Sequence, residues 1–264
     1  MRTSLRVAGL ATACAVAGTV LYGASTAGAG SAQSEHTAEP HNIGSLVTEI
    51  SQYYGAAKDA NGVWQASSDS AYAKDLARVE AKAKRTIADA AARHGGKGKK
   101  PAVVFDIDDT LLLSLDYEIK TNYTYNSATW ATYVAQADRP AVFGTPELIA
   151  YAAKKGVAVF YNSGLKESQR ADAVANLKKV GIDVNLDADH IFLKDAANPP
   201  AYLSDCATVT AWTCTTVQYK AGTRKHIESE GYNIVANFGD QFSDLQGGYT
   251  DKTFKLPNPT YFVQ

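Results

Sequence analysis

The sequence lacks an excess of charge of one sign, and it has few cysteines. Its 264 residues carry 26 Lys and Arg against 27 Asp and Glu. This balance gives no overall field to attract a polyanion, so nucleic-acid polymers and membrane surfaces are not expected partners. There are no internal repeats, and beyond residue 29 no apolar run reaches the roughly 20 residues that span a bilayer. The 45% of hydrophobic residues is typical of a globular protein with a sizeable core.

Segment 1–29 is typical of a signal peptide. Arg2 and Arg6 precede a short apolar run, and Ala27-Gly28-Ala29 fits a small-x-small cleavage rule. An uncleaved anchor is disfavoured because the run is shorter than a spanning helix and is diluted by alanine and glycine. We therefore expect a secreted, extracellular protein that has no membrane association after cleavage and begins with a small, polar tail.

The scarcity of cysteine limits the covalent chemistry of the chain. Cys14 falls within the expected signal peptide, which leaves Cys206 and Cys214. An even pair in an oxidising compartment predicts a disulfide. Two buried free thiols are the alternative, and a metal site is disfavoured because no histidines lie nearby.

Apolar patterns after residue 40 predict helices followed by a parallel sheet. Apolar residues at spacings of three and four indicate a helix between about Ser68 and Gly95. Runs that predict strands buried on both faces then alternate with helical segments, which favours right-handed crossovers. The predicted fold is α/β, three layers around a Rossmann-like parallel sheet. The strand runs are 102–105, 157–161, 191–193 and 234–238.

This pattern also predicts the domain organisation. Residues 30–98 form an amino-terminal tail and helices that pack on the core, and 99–264 form the core itself. A small helical cap insertion is expected at about 113–145. Its aromatic residues either form the core of the insertion or stack on a nucleoside or aryl group of a substrate, and we favour the first alternative. They are Tyr117, Tyr123, Tyr125, Trp130 and Tyr133.

Two aspartates directly after the first strand run indicate phosphoryl chemistry. Asp106 and Asp108 can reach one pocket, and such close carboxylates repel each other unless a hard cation such as Mg²⁺ lies between them. Asp106 is the candidate nucleophile, and Asp108 is the candidate acid and base. Capping of a helix that starts near Leu111 is the alternative, but it explains one carboxylate rather than three within four residues.

Three later motifs supply complementary groups. Ser163 and Gly164 follow the second strand run and offer a hydroxyl and backbone N–H groups to a phosphoryl oxygen, although Ser163 also suits a helix N-cap. Lys220, placed just ahead of a helix that runs to Glu230, can pair with Asp106, although an isolated lysine is usually exposed. Asp240 and Asp244 follow the last strand run, where a simple turn is the alternative.

Together, the four motifs resemble those of the haloacid dehalogenase superfamily. Within it, the chain is most similar to the class B and plant vegetative-storage-type acid phosphatases, over roughly Lys100 to Gly248. The resemblance depends on the segments Val104-Phe105-Asp106-Ile107-Asp108-Asp109-Thr110, Tyr219-Lys220-x-x-x-Arg224, and Gly231-Tyr232 leading to Gly239-Asp240-Gln241-x-Ser243-Asp244.

The resemblance implies a Mg²⁺-dependent acid phosphatase that forms an aspartyl phosphate from small phosphomonoesters. Asp240 would ligate the metal with the Asp106 carboxylate and the Asp108 backbone carbonyl. Asp244 would act through water or by orienting Lys220. Phosphotransfer to an alcohol and a non-catalytic storage or binding role are the alternatives, whereas Asp108 argues against a dehalogenase.

One departure from the family pattern affects substrate recognition. The family usually continues the second motif as Ser-Gly-Arg, but Ser163-Gly164 is followed here by Leu165 and Lys166. Lysine would replace the planar fork of arginine only as a point charge. The sequence therefore leaves the substrate open, along with the pH optimum and the oligomeric state.

Overall fold

The computed structural model describes residues 40–94 and 98–263. The expected signal peptide, Cys14 and most of the predicted polar tail lie outside these residues. Short 3-10 turns at 167–169 and 201–203 join some of the elements. The helices and strands are, in chain order, α1 (Ile43–Tyr54), β1 (Ala57–Lys58), β2 (Trp64–Gln65), α2 (Ala71–His94), β3 (Lys100–Phe105), α3 (Leu115–Lys120), α4 (Ser127–Ala135), α5 (Thr145–Lys154), β4 (Ala158–Lys166), α6 (Arg170–Lys179), β5 (Ile191–Lys194), β6 (Ala207–Thr208), β7 (Ala211–Trp212), α7 (Thr216–Ser229), β8 (Tyr232–Gly239), α8 (Phe242–Leu245) and β9 (Thr253–Lys255).

A five-stranded parallel sheet forms the centre of the fold, in the order β5-β4-β3-β8-β9. The predicted α/β fold with a parallel sheet is therefore confirmed. The four predicted strand runs are β3, β4, β5 and β8. The fifth strand, β9, has only three residues, which are exposed or half-buried. Its sequence lacks the apolar run by which the others were predicted.

The two faces of the sheet pack against different helices. Along β3, Val103 and Phe105 belong to the main core, which includes buried residues of α1, α2, α5 and α6. Ala102 and Val104 point to the opposite face and pack with Ile227 of α7. Side chains alternate between faces along a strand, and all four are buried, so β3 is covered on both sides.

Stacked aromatic rings join three neighbouring strands on the main-core face. The Phe105 and Phe238 ring centroids lie 4.3 Å apart, and those of Phe238 and Phe254 lie 4.8 Å apart. Each such pair contributes roughly 0.5–1.5 kcal/mol beyond the burial of its area. The stack holds β3, β8 and β9 together just below the ends from which the site residues project.

Two predicted boundaries differ from the structure. The strand run predicted to end at Tyr161 continues as β4 to Lys166, so Ser163 lies within a strand and does not cap a helix. The helix predicted to follow Lys220 begins earlier, at Thr216, and contains it. The reason is a capping box, in which the Thr215 hydroxyl accepts from the Gln218 backbone N–H and the Gln218 side chain accepts from Thr215.

The segment between β3 and α5 contains α3 and α4. Tyr117, Trp130 and Tyr133 pack against one another here, with ring centroids 5.0 to 5.8 Å apart. These three aromatic side chains thus form a local core, as favoured from the sequence. Tyr123 and Tyr125 line the cavity described below, and so does Trp130 at the edge of this local core.

The structure contains the predicted disulfide between Cys206 and Cys214. It closes the β6–β7 hairpin just before α7. Within residues 40–94 and 98–263, no helix combines the length and the apolar character needed to cross a membrane.

Candidate active site

The carboxyl ends of β3 and β8 form the centre of the candidate site. The strand order changes direction here, because the chain continues from β3 to β4 and β5 on one side and returns through β8 and β9 on the other. Ligands of open α/β sheets bind at such switch points. A cavity of about 510 Å³ opens at this point, and its lining includes Asp106, Asp108, Glu118, Lys220, Asp240 and Asp244.

Three buried carboxylates converge at the bottom of this cavity. One oxygen each of Asp106, Asp240 and Asp244 lies within 4.8 Å of the others. Burial raises the pKa of Asp106 well above its ordinary value. Lys220 opposes this shift, and the charges of Asp244 and Asp240 add to it. Burial also raises the pKa of Asp240, to about 7.

Lys220 is the cation of this cluster. Its Nζ donates to Asp106 Oδ1 at 2.5 Å, to Asp244 Oδ1 at 2.9 Å and to the Asn162 backbone carbonyl. Burial lowers the pKa of Lys220, but the two carboxylates outweigh this effect and hold it above its ordinary value. All three ammonium protons therefore have acceptors. The exposed lysine considered as the alternative is ruled out, since Lys220 is only 2% exposed.

Two side-chain amides orient the carboxylate of Asp240. Gln241 Nε2 and Asn258 Nδ2 each donate to Asp240 Oδ2 at 2.7 Å. Among the described residues, Asp240 Oδ1 receives only a longer bond of 3.3 Å, from the Thr110 hydroxyl. Because Oδ2 already accepts two hydrogen bonds, Oδ1 is the oxygen with capacity for a cation.

Asp109 holds the loop after β3 in place. Its backbone has a φ of 52°, in the left-handed region that aspartate tolerates better than most residues. Its Oδ1 accepts from the Ser114 backbone N–H at 2.8 Å, and its Oδ2 accepts from the Tyr261 hydroxyl at 2.9 Å. The next helix, α3, begins at Leu115 without a side-chain cap. The alternative of an acidic cap for a helix near Leu111 is therefore wrong.

Asp108 lies on the cavity wall, apart from the three-carboxylate cluster. Arg139 Nη1 donates to its Oδ1 at 2.5 Å. Arg139 is buried, and its guanidinium carbon lies 5.4 Å from the Trp130 ring centroid. The guanidinium fixes one oxygen of Asp108, and the other has no hydrogen bond among the described residues. A metal contact through the Asp108 backbone carbonyl stays a prediction.

The second motif forms an irregularity in the pairing of β4 with β5. The register shifts between Asn162 and Lys166. Ser163 is fully buried, and its Oγ accepts from the Leu165 backbone N–H at 3.1 Å. Gly164 lines the cavity, whereas Ser163 does not. Lys166 is exposed and also lies off the cavity. A different lysine, Lys194 at the end of β5, lines it instead.

The start of the loop after β8 is tightly packed where Gly239 meets Asp244. A Cβ atom at Gly239 would lie 2.4 Å from the Cβ of Asp244, so only glycine allows this approach. Asp244 Oδ2 accepts from the Gln241 backbone N–H at 3.0 Å. The buried guanidinium of Arg224 donates to the Asp244 carbonyl at 2.6 Å, to that of Gly248 at 2.9 Å and to that of Gln246. Arg224 therefore fixes the backbone that carries Asp244.

Segment 256–263 supplies site residues that the sequence did not indicate. It brings Asn258 to Asp240 and Tyr261 to Asp109. It is further attached where the Val263 N–H donates to Gln241 Oε1 at 3.0 Å. Its contacts reach residues up to 152 positions earlier in the chain. Such distant partners leave no local sequence pattern, so no motif marks this segment. Arg139 was missed for the same reason.

The donor set fits a hard divalent cation. All three side-chain donors are carboxylate oxygens, they are buried, and they lie close enough to share one ion. Lys220 is the one cation paired with them among the described residues, and it offsets only part of their charge. An ion held by Asp106, Asp240 and Asp244 would supply the missing positive charge.

Comparison with known proteins gives a family match over most of the chain. A family model described as HAD superfamily, subfamily IIIB (acid phosphatase), matches residues 19–264. The Stem 28 kDa glycoprotein of Glycine max is 34% identical over 170 residues, which are 62% of this chain and 61% of that protein. Acid phosphatase 1 of Solanum lycopersicum is 32% identical over 164 residues, 61% of this chain and 58% of that protein. The chain thus spans about three fifths of these relatives.

A solved structure has a similar fold. The class C acid phosphatase from Bacillus anthracis matches with a TM-score of 0.53 and 25% sequence identity. The match covers 70% of this chain and 78% of that one.

Proposed function

Because the chain belongs to subfamily IIIB of the HAD superfamily, the acid phosphatases, we propose that it hydrolyses small phosphomonoesters with Asp106 as nucleophile. The predicted family is confirmed by this match. The observation that carries the proposal is the position of Asp106. It lies at the switch point of the sheet, in the cavity, with Lys220 2.5 Å from one carboxylate oxygen.

In the proposed reaction, Asp106 attacks phosphorus and an aspartyl phosphate forms as the bond to the leaving oxygen breaks. Asp108, on the wall of the same cavity, gives its proton to the leaving alkoxide. It then takes a proton from water, which attacks phosphorus and releases phosphate from Asp106. Lys220 neutralises charge on Asp106 and on the transferring phosphoryl oxygens.

We further propose that Mg²⁺ is the cation. Asp106, Asp240 and Asp244 would hold it, with the Asp108 backbone carbonyl as a further ligand. The ion would screen the repulsion between the carboxylates and an incoming phosphate dianion. Asn258 and Gln241 keep Asp240 turned toward it.

The second motif offers neutral donors for the substrate phosphate. Gly164 lines the cavity, so its backbone N–H is one proposed phosphoryl contact. The Ser163 hydroxyl, which is buried and does not line the cavity, stays a prediction from the sequence as the second. Since Lys166 is exposed and lies off the cavity, we propose that Lys194 provides the positive charge that the family's arginine would provide.

Export is also proposed. Segment 1–29 has the features of a signal peptide, and a disulfide suits an oxidising compartment. Amino-terminal sequencing of protein from culture medium should give a start at or near Gly30. Recovery of the protein only inside the cells, with its amino terminus intact, would disprove export.

The test of the main proposal is phosphate release from an aryl phosphate, with Mg²⁺ and with a chelator, by wild type and Asp106→Asn. We expect chelator-sensitive activity that the variant loses while its circular dichroism is unchanged. Asp189→Asn, which alters an exposed aspartate away from the cavity, is the matched control.

Other results would change the proposal in distinct ways. Full activity in Asp106→Asn would refute the nucleophile. No release from any monoester would favour a non-catalytic storage or binding role. Phosphorylated glycerol, formed when glycerol is present, would show transfer to an alcohol as well as to water.

A further inference from the structure

A carboxyl group on the insertion side of the cavity has no function in the proposed reaction. Glu118 of α3 lines the same cavity as Asp106 and Lys220, yet it is only 6% exposed. Its side chain has no hydrogen bond, and no cation lies within 4.0 Å of it among residues 40–94 and 98–263. Glutamate is rarely buried to this extent unless it is paired.

A neighbouring carboxylate on the same helix shows the usual arrangement. Asp116 is also buried, but Lys120 Nζ lies 2.8 Å from its Oδ2 and the Trp64 backbone N–H donates to its Oδ1 at 2.9 Å. Among the described residues, Asp116 thus has a partner on α3 and another on β2, whereas Glu118 has none. The difference is that Glu118 faces the cavity.

Leaving a carboxylate without a partner costs free energy. Burial raises the pKa of Glu118 to about 8, and the charge of Asp109 adds to the shift. A ligand group that donates hydrogen bonds and carries positive charge would remove this cost. A ligand group with negative charge would increase it.

Aromatic side chains beside Glu118 suit the same kind of ligand. Tyr123, Tyr125 and Trp130 line the cavity with it, and we call these three residues the aromatic wall. The faces of such rings attract cations, most strongly where water is excluded. The Tyr123 hydroxyl is buried and has no hydrogen-bond partner among the described residues.

The backbone at the aromatic wall is in an uncommon conformation. Asn122 and Tyr123 are consecutive non-glycine residues with φ of 51° and 57°. The Tyr123 N–H donates to the Glu118 carbonyl at 2.7 Å, which ties the aromatic wall to α3. Left-handed residues other than glycine are uncommon and are concentrated at functional sites.

On the premise of the proposed phosphatase activity, we propose that Glu118 and the aromatic wall bind an ammonium group on the leaving alcohol. Phosphorus lies at Asp106, and the alcohol extends across the cavity to Glu118. The ammonium group gives Glu118 its missing partner and lies against the ring faces. Esters whose alcohol bears a carboxylate or a second phosphate are disfavoured, because a negative group opposes the ionisation of Glu118 and gives it no cationic partner.

The test compares three phosphate esters of similar length that differ in the charge of the alcohol: O-phosphoethanolamine (positive), propyl phosphate (neutral) and phosphoglycolate (negative). We expect kcat/KM in wild type to fall in that order, by about tenfold between the first two. In Glu118→Gln the ratio of kcat/KM for O-phosphoethanolamine to that for propyl phosphate should approach one. Glu118→Asp, which keeps the carboxyl group, should retain part of the preference.

Glu49→Gln is the control, because Glu49 is an exposed residue of α1 and should leave the wild-type order unchanged. Equal kcat/KM for the three esters in wild type, or an unchanged order in Glu118→Gln, would overturn the proposal. The three kcat/KM values of wild type test the proposal even if a variant does not fold. If wild type hydrolyses p-nitrophenyl phosphate but shows no preference among the three esters, the ammonium site alone is refuted. If wild type hydrolyses none of these four esters, the phosphatase activity is refuted and the ammonium site with it.

Discussion

Asn258 donates a hydrogen bond of 2.7 Å from its side-chain amide to Asp240 Oδ2, from a segment beyond the last strand. Together with Gln241 it leaves Oδ1 of Asp240 for a cation. Groups that orient a metal ligand in this way typically change metal affinity by 10–100-fold when they are removed. We therefore expect Asn258→Ala to raise the Mg²⁺ concentration needed for half-maximal activity by about tenfold.

A matched control for this variant is available on β8. Asn233 Nδ2 donates to Asp251 at 2.9 Å on the exposed surface, so Asn233→Ala should leave the Mg²⁺ dependence unchanged. The rise in melting temperature caused by Mg²⁺ gives a readout that does not depend on turnover. An equal rise in wild type and Asn258→Ala would contradict the positioning role.

The buried ion pair of Lys220 should matter for both stability and activity. In Lys220→Met the carboxylates of Asp106 and Asp244 lose their counter-charge, and breaking a buried pair costs about 3–5 kcal/mol. Urea unfolding should show this loss, and phosphate release should fall by at least about a hundredfold. Lys179 pairs with Asp138 at 2.7 Å on the surface. Lys179→Met should cost less than about 1 kcal/mol, and similar losses in both variants would contradict the prediction.

The sequence predicted the parts of the fold and site that depend on local pattern. Val103, Val104 and Phe105 are apolar because β3 is covered on both faces, so the run was visible and Asp106 was placed at its end. The same logic placed Asp240 after β8. Since β3 and β8 are neighbours in a parallel sheet, the two aspartates meet.

The remaining parts depend on tertiary packing that leaves no local trace. Asn258 and Tyr261 lie in irregular backbone after β9, and their partners are distant in sequence. Glu118 resembles any polar residue of an amphipathic helix until burial and the lack of a partner are seen. Ser163 was expected at a strand end because Asn162, Ser163 and Gly164 are polar or small, but pairing with β5 resumes at Lys166 after the irregularity.

The disulfide should stabilise the fold without contributing to the reaction. Cys206 and Cys214 are separated by eight positions, and closing so short a loop is worth roughly 2–3 kcal/mol in the chain-entropy description. The double variant Cys206→Ser/Cys214→Ser should lose about this much in urea unfolding and keep its phosphatase activity, because neither residue lines the cavity. Treating wild type with a reductant should give the same loss. Unchanged stability in both experiments would show that the bond does not form.

Glu118 should make stability fall as pH rises. Its pKa is about 8 in the folded chain against an ordinary 4.5, so between these values the folded state holds a proton that the unfolded state has released. The free energy of unfolding therefore decreases with pH across this window and levels off above it. Glu118→Gln cannot titrate at this position and should lose less stability than wild type between pH 5 and pH 8.

Urea unfolding at pH 5, 6.5 and 8, with a chelator present so that cations do not contribute, measures this difference. The other buried carboxyls of the described residues are common to both proteins, so the comparison isolates Glu118 together with its repulsion by Asp109. They are Asp106, Asp109, Asp116, Asp240 and Asp244. Glu49→Gln should follow wild type at every pH, because Glu49 is exposed. The prediction is wrong if the free energies of unfolding of wild type and Glu118→Gln change in parallel from pH 5 to pH 8. Glu118 would then titrate alike in the folded and unfolded states, and its burial without a partner would have no energetic consequence.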